Sequence, residues 1–279
     1  MKVLILGCGY TGSHLARLLL EQKIPVCLTT RSGERPASVH APCFTFSDDF
    51  PLLPDQALAG VTHVLHSIPP DQQGIDPVAA YLLPVLEKVH LRWFGYLSTT
   101  GVYGDVQGAW VDEQTPINPQ QDRSQHRVAA EQKFLQSALP THIFRLPGIY
   151  GPGRSVFDRL KAGKAQRIAR SGHVFSRIHV DDIVRTLWAS MNRPNPPSIY
   201  NVADDEPTEP ENLLVEASKL LGMAPPEAVP FEQAVLSPMA ATFWSECRRV
   251  SNQKIKTELR VVLHYPTYRE GLRAMLGQY

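Results

Sequence analysis

A glycine-rich segment at residues 7–12 constrains the fold more than any other part of the chain. It has the sequence G-C-G-Y-T-G and directly follows the apolar run Val3–Leu6. In a strand–turn–helix unit the first glycine permits a tight turn, the second lets the backbone approach a pyrophosphate, and the third lets the helix pack on the strand. The alternative is a glycine-rich turn without a ligand. The residues that we expect at this dinucleotide site are Gly7, Gly9, Tyr10, Thr11 and Gly12.

Apolar runs alternate with helical stretches along the chain. We expect strands at residues 3–6, 26–29, 44–46, 62–66, 93–98, 142–145 and 199–202. We expect helices at residues 12–20, 78–89, 129–137, 181–191 and 207–221. This order predicts an α/β fold, a Rossmann-type doubly wound parallel sheet covered on both faces, with a smaller C-terminal substrate lobe.

The length of 279 residues suits one compact chain with two parts. Residues 1–150 are expected to form the dinucleotide-binding Rossmann core, which residues 174–205 complete. Residues 151–173 and 206–279 are expected to form the substrate-binding lobe, because the regular alternation loosens after residue 151 and prolines cluster in loops.

Charge and cysteine content argue against several classes of protein. The formal net charge is only +1, so no overall field attracts the protein to nucleic acid or to a membrane. The 4 cysteines form no C-x-x-C pair and have no zinc-like spacing with histidine. The apolar N-terminal run is too short for a signal peptide or a membrane span. We therefore expect a cytoplasmic protein with no metal site.

The end of the second predicted strand bears on the choice of cofactor. NAD-binding folds usually carry an acidic residue there for the ribose 2′-hydroxyl, but this chain has Thr29, Thr30, Arg31 and Ser32. Arg31 could pair with a 2′-phosphate and Ser32 could hydrogen-bond to it. The sequence thus favours NADP, with NAD as the alternative, unless Arg31 is only a solvated loop cation.

Several short motifs follow one another along the chain in the order found in one protein family. Residues 97–104 have the sequence L-S-T-T-G-V-Y-G, residues 145–153 R-L-P-G-I-Y-G-P-G, and residues 177–182 R-I-H-V-D-D. With the segment Y-N-V at 200–202 and the tail, they resemble the extended short-chain dehydrogenase/reductases, the NAD(P)-dependent epimerases and dehydratases. The resemblance spans the whole chain and implies a nicotinamide cofactor, with Ser67 and Pro147 among the residues expected to bind it.

The resemblance also implies a catalytic Y-x-x-x-K helix, which this chain lacks. No tyrosine is followed by lysine four residues later. Aligning the flanks of that helix places Arg123 at the tyrosine position and Arg127 at the lysine position. Arg123 cannot donate a proton because a guanidinium stays charged, whereas Arg127 could still bind the nicotinamide ribose. The chain therefore resembles the atypical branch of the family.

Other side chains are candidates for the missing catalytic role. His126 shares a helix face with Arg123, and histidine titrates near neutral pH, although a surface or capping histidine is the alternative. Thr99 occupies the family's hydroxyl position, or else bonds only to nearby backbone. Tyr103 and Tyr150 are expected beside the cofactor, where each could instead be a packing aromatic.

The segment from residue 154 to 177 contains seven cations and one acid, Asp158. Arginines there could hold a phosphate, with Phe157, Phe175 or Trp244 stacking on a ring, unless the segment is a solvated basic face. His179 with Asp181 and Asp182 is interpreted as structural, with a carboxylate capping the next helix.

These observations lead to a function with two alternatives. The leading hypothesis is an NADP(H)-dependent oxidoreductase, of epimerase, dehydratase or reductase type, acting on a small anionic molecule such as a nucleotide-sugar-like compound. The loss of the tyrosine and lysine favours a non-catalytic NADP(H) sensor that regulates a partner. A structural module with a vestigial site is the third interpretation. The resemblance also allows a homodimer formed through the helices at 78–89 and 129–137.

Overall fold

A computed structural model describes residues 1–277, without the side chain of Met239. The last two residues of the expected lobe, 278 and 279, lie outside the described residues. The strands β1 to β13 are Val3–Leu6, Val26–Thr30, Cys43–Thr45, His63–His66, Trp93–Thr99, Trp110–Val111, Thr141–Leu146, Gly148–Tyr150, Arg167–Ala169, Arg177–His179, Ser198–Asn201, Ala228–Pro230 and Arg249–Val250. The α-helices α1 to α10 are Tyr10–Glu21, Asp55–Leu58, Leu83–Leu86, Asp122–Gln136, Val156–Lys161, Val180–Asn192, Pro210–Leu220, Pro238–Trp244, Gln253–Thr257 and Tyr268–Leu276.

The central sheet has seven strands in the order β11-β7-β5-β4-β1-β2-β3, and every pair is parallel. The chain moves outward from β1 to β3 and then returns to the other side of β1 with β4. The carboxyl ends of β1 and β4 therefore diverge at a topological switch point, which is where open α/β sheets bind ligands.

The two faces of the sheet are covered by different helices. Val3 and Ile5 point to a core that includes residues of α1 and α6, whereas Leu4 and Leu6 point to a core with residues of α3 and α4. This alternation along one buried strand, with helices on both sides, confirms the predicted Rossmann-type doubly wound fold.

Most predicted elements occur, but several boundaries differ. The helix expected at 12–20 begins at Tyr10, and that expected at 129–137 begins at Asp122. The single helix expected at 78–89 is a π-helical turn, Val78–Leu82, followed by the short α3, because proline at position 84 withholds a backbone donor. The strand expected at 44–46 is β3, one residue earlier.

Elements outside the central sheet form a smaller layer of their own. The helices α5, α7 and α10 share a separate core with residues such as Phe157, Leu214 and Leu272. Three two-stranded parallel pairs, β8 with β10, β9 with β12 and β6 with β13, connect this layer to the sheet. The exact division of the chain into core and lobe stays a prediction.

Candidate functional site

The glycine turn forms the first part of the site, at the carboxyl end of β1. Gly7 has φ of +82°, and a Cβ there would lie 2.5 Å from Cγ1 of Ile68, so a side chain would be both strained and crowded. A Cβ on Gly12 would lie 3.1 Å from Cγ2 of Ile5, which is how the third glycine lets α1 approach β1. Both positions do what the sequence pattern requires of them.

The start of α1 offers space for an anion. A Cβ on Gly9 would have no atom within 4 Å, and no side chain caps the helix that begins at Tyr10. Uncapped backbone N–H groups and the helix dipole attract negative charge to such a position. The turn therefore fits a dinucleotide pyrophosphate beside Gly9, with Tyr10 and Thr11 in the first turn of α1.

The residues expected to select the cofactor follow β2. Arg31 and Ser32 are both exposed, immediately beyond the strand end at Thr30. The Ser32 hydroxyl accepts a hydrogen bond from the Glu34 backbone N–H at 3.2 Å, so its own proton is available to a ligand. A second exposed cation, Arg35, lies in the same loop and was not singled out by the sequence pattern.

Two further cofactor candidates lie on loops at the same edge of the sheet. Ser67 follows β4, and its N–H donates to the Leu6 carbonyl at 2.9 Å. Pro147 separates β7 from β8 and lines the main cavity. Both positions agree with a ligand lying along the carboxyl ends of the strands.

The main cavity has a volume of about 490 Å³. Its wall brings together four of the residues that the sequence singled out, namely Thr99, His126, Arg127 and Pro147. It is also lined by five arginines, Arg123, Arg127, Arg154, Arg177 and Arg248, and by the acidic residues Asp71 and Glu246. The excess of guanidinium groups favours an anionic ligand.

Arg127 lies on the side of α4 that faces the end of β5. Its guanidinium donates to the Leu97 carbonyl at 2.6 Å and to the Tyr96 hydroxyl at 3.1 Å. These two bonds engage one terminal nitrogen and fix the orientation of the fork. Arg127 also lines the main cavity, where its remaining N–H groups can bind a ribose hydroxyl.

His126, on α4, is half-buried against the loop that follows β4. A Cβ on Gly74 would lie 2.8 Å from Cδ2 of the imidazole, so only glycine leaves room for the ring. The same loop is anchored by a buried pair, His66 with Asp76, whose nitrogen and oxygen are 2.9 Å apart. Burial opposes ionisation of Asp76, but His66, the Ala79 N–H and Arg127 together outweigh burial, and the pKa of Asp76 is lowered.

Thr99 makes the bond to nearby backbone that was considered from the sequence, and its role toward a substrate stays a prediction. Its Oγ1 accepts a hydrogen bond from the Gly101 N–H at 3.1 Å and caps a 3₁₀ turn, Thr100–Tyr103. The residue also lines the cavity, so the hydroxyl proton remains available to a substrate oxygen.

Tyr103 lies apart from the other three catalytic candidates. It is fully buried, does not line the main cavity, and its hydroxyl donates to Oδ1 of Asn201 at 2.8 Å. Arg145 donates to the same hydroxyl and forms a buried salt bridge with Glu131 at 2.7 Å. Burial raises the pKa of Tyr103, which disfavours proton transfer near neutral pH.

Tyr150 is also buried, and it lies against the lobe. A Cβ on Gly271 would collide with the Tyr150 ring, and burial is the main reason why the pKa of this hydroxyl is raised. This position suits a packing aromatic.

A second cavity of about 560 Å³ shares Arg154, Phe175 and Arg177 with the main one. Trp244 also lines it, in edge contact with Phe175 at 5.3 Å between ring centres. Arg177 is buried and donates to the carbonyls of Phe175 and Thr208. The two cavities thus meet at two guanidinium groups and the ring of Phe175, and Trp244 lines the second cavity.

His179 has the structural role expected of it, but through a different group. Its Nδ1 accepts the Asp181 N–H at 3.2 Å, so the imidazole itself caps α6. The carboxylate of Asp182 instead accepts the N–H groups of His264 and Tyr265. Burial lowers the pKa of His179 to about 4, which keeps the ring neutral and able to accept this bond.

Glu246, Arg248 and Phe243 are cavity residues that the sequence did not indicate. Glu246 and Arg248 form an ion pair of 2.7 Å between α8 and β13. They are brought to the cavity by tertiary contacts of the lobe, and from the sequence only the neighbouring Trp244 and the family resemblance of the tail pointed to this region.

The described residues offer neither a metal site nor a membrane span. In residues 1–277, no cluster of three or more His, Cys, Asp or Glu side chains has the arrangement of a metal site. None of the helices described for the chain is long and apolar enough to cross a membrane.

Comparison with known proteins places the chain in a family. The model of the NAD dependent epimerase/dehydratase family matches residues 3–203. No curated protein matches the sequence. The chain is similar to a conserved protein of unknown function from Silicibacter pomeroyi DSS, with 46% identity, a TM-score of 0.91, and coverage of 99% of this chain and 98% of that one.

More distant structures share the fold. One is MoeE5 in complex with UDP-glucuronic acid and NAD, at 18% identity, a TM-score of 0.82, and coverage of 99% and 98%. Another is dTDP-glucose 4,6-dehydratase from Bacillus anthracis str. Ames with NAD, at 17% identity, a TM-score of 0.80, and coverage of 100% and 96%. With a family model that covers most of the chain and a fold shared over its full length, the chain belongs to the NAD-dependent epimerase/dehydratase family.

Proposed function

We propose that the chain is an NADP(H)-dependent oxidoreductase that acts on a nucleotide-sugar-like anion. The observation that carries the proposal is the position of the main cavity. This arginine-rich cavity lies at the same carboxyl edge of the sheet as the glycine turn and the uncapped start of α1. A dinucleotide lying across that edge would exchange a hydride with a substrate carbon in the main cavity. Arg31 and Ser32 favour a 2′-phosphate on its ribose.

The chain's own side chains supply the remaining roles. Thr99 orients the reacting oxygen of the substrate, and His126 donates a proton to that oxygen or accepts one from it, so that the proton balances the hydride. Arg127 holds the nicotinamide ribose. Tyr103, a candidate from the sequence, does not line the cavity and has no role in the proposed reaction.

The two cavities adjoin, and together they offer room for the two parts of a nucleotide-sugar. Arg154 and Arg177 lie where they meet and would hold the diphosphate, with the sugar beside Thr99 and the base near Trp244. Two proteins with the same fold, MoeE5 and the dehydratase from B. anthracis, act on or bind compounds of this class by their descriptions.

Turnover of a nucleotide-sugar panel, followed at the nicotinamide absorbance band, tests the proposal. We expect a substrate-dependent change in wild type and a loss of about 10²–10⁴-fold in kcat for His126→Asn, the range for one general acid or base. The exposed His90 provides a matched control, since His90→Asn lies outside the cavity and should leave turnover unchanged. Full activity of His126→Asn would refute the proton-transfer role.

A non-catalytic NADP(H) sensor is the second candidate. It is favoured by one observation, that none of the tyrosines in the described residues lines the main cavity. This alternative predicts tight cofactor binding without turnover of any substrate, together with a cofactor-dependent change in association state measured by sedimentation.

A further inference from the structure

Arg123 carries a guanidinium that has no anionic partner in the cavity. It lies on the exposed first turn of α4 and lines the main cavity. In the described part of the chain no hydrogen bond or ion pair engages it. Its contact is with the ring of Phe243, whose centre is 4.7 Å from Cζ of Arg123.

The other arginines of this cavity already have partners or a role. Arg127 and Arg177 donate to backbone carbonyls, and Arg248 pairs with the carboxylate of Glu246. Arg154 lies at the junction of the two cavities, where the proposed function places the diphosphate. Arg123 therefore differs from these four arginines, because its guanidinium has neither a hydrogen-bond partner in residues 1–277 nor a role in the proposed function.

Stacking on Phe243 also prepares the Arg123 guanidinium for binding. Contact with the ring restricts the long, flexible side chain of Arg123 and leaves the N–H groups at the edge of its guanidinium free. A planar fork with one charge is complementary to a carboxylate, which it binds through two parallel hydrogen bonds. A phosphate monoester carries up to two charges and would also face the nearby carboxylates of the cavity wall, Asp71 and Glu246.

We propose that Arg123 binds a carboxylate on the sugar end of the substrate, so that the substrate class is a nucleotide-linked sugar acid. This inference rests on the proposed function of the same cavity. Arg123, at the family's tyrosine position, would then determine substrate specificity, and His126 would transfer the proton.

A matched pair of ligands tests this inference. UDP-glucuronic acid and UDP-glucose differ in having a carboxylate or a hydroxymethyl group on the sugar, and each is titrated calorimetrically into the protein with NADP⁺ present. Wild type should bind the acid about 10–100-fold more tightly, the value of one or two charged hydrogen bonds. In Arg123→Gln the affinity for the acid should fall by that factor, and the affinity for UDP-glucose should change by less than about 2-fold.

Controls separate this inference from the proposed function. Arg92→Gln removes an exposed cation outside the cavity and should preserve the preference for the acid. An unchanged preference in Arg123→Gln, or equal affinities in wild type, would overturn the carboxylate role while leaving nucleotide-sugar binding intact. If neither nucleotide-sugar binds, the proposed substrate class fails, and glucuronate alone is then measured by ligand-observed NMR. Binding of glucuronate that Arg123→Gln abolishes would support the role of Arg123, and its absence would overturn it.

Discussion

The buried pair of Glu131 and Arg145 connects α4, which carries His126, to β7 of the central sheet. Both side chains are less than 5% exposed, and their closest nitrogen and oxygen are 2.7 Å apart. Glu131 also accepts a hydrogen bond from Ser98, and Arg145 donates to Tyr103. Burial alone would lower the pKa of Arg145, but the bonds to Glu131 outweigh burial and raise it. Replacing Glu131 by Gln would therefore leave a buried cation without its counter-ion.

The expected cost of Glu131→Gln follows from that geometry. Removing one partner of a buried ion pair costs about 3–5 kcal/mol of unfolding free energy. With an unfolding entropy of about 2.1 cal/mol/K per residue, this corresponds to a fall in Tm of roughly 5–9 °C for a chain of this size. The assay is calorimetric or fluorescence-detected thermal unfolding of both proteins in one buffer.

A second ion pair provides the control for Glu131→Gln. Glu211 pairs with Arg167 at 3.3 Å, and both side chains are 20–28% exposed. Solvent screens this pair, so Glu211→Gln should cost under about 1 kcal/mol. Equal losses of stability in the two variants would refute the reasoning, because they would show that burial does not determine the energy of the pair.

Two further predictions concern single positions. Burial raises the pKa of Asp204 to about 8, although Arg177 acts in the opposite direction. Between about pH 4 and 8 this carboxyl is therefore protonated in the folded state and ionised in the unfolded state. The unfolding free energy, measured by denaturant titration, should therefore fall as the pH rises from about 4 to 8, and it should fall less in Asp204→Asn. The same pH profile in wild type and Asp204→Asn would contradict the raised pKa of Asp204. In Gly74→Ala the new Cβ would displace the His126 ring and lower kcat, whereas Gly222→Ala, which also has a positive φ but no atom within 4 Å, should lose stability without that loss of turnover. Equal kcat values in these two glycine variants would contradict the position of His126.

The sequence predicts the fold well because its strongest signals are local. The glycines at positions 7, 9 and 12 and the apolar strands act within a few residues, and the sheet confirms them. The start of α4 was predicted less well, because its first turn is polar and has a weak apolar stripe. Its position is set instead by the contacts of Ala130 and Phe134 with the sheet.

The substrate side of the site could be predicted only in part. Thr99, His126 and Arg127 meet at one cavity because the carboxyl ends of parallel strands share an edge. Glu246 and Phe243 reach the same cavity from more than a hundred residues further along the chain, through lobe packing that has no local pattern. For Tyr103, closeness in sequence was misleading. It follows β5 closely, but its side chain points into the interior and contacts Arg145.

Calorimetric titration of wild type and Arg31→Ala with NADPH and then NADH tests whether the protein binds a nicotinamide dinucleotide and which of the two it prefers. Arg92→Ala serves as the control for loss of one exposed cation. NADPH should bind more tightly than NADH, and Arg31→Ala should weaken the binding of NADPH by about 10–100-fold while leaving that of NADH nearly unchanged. Preference for NADH, or NADPH affinity that is unaffected by Arg31→Ala, would contradict the assigned cofactor, and failure to bind either dinucleotide would contradict the oxidoreductase function itself.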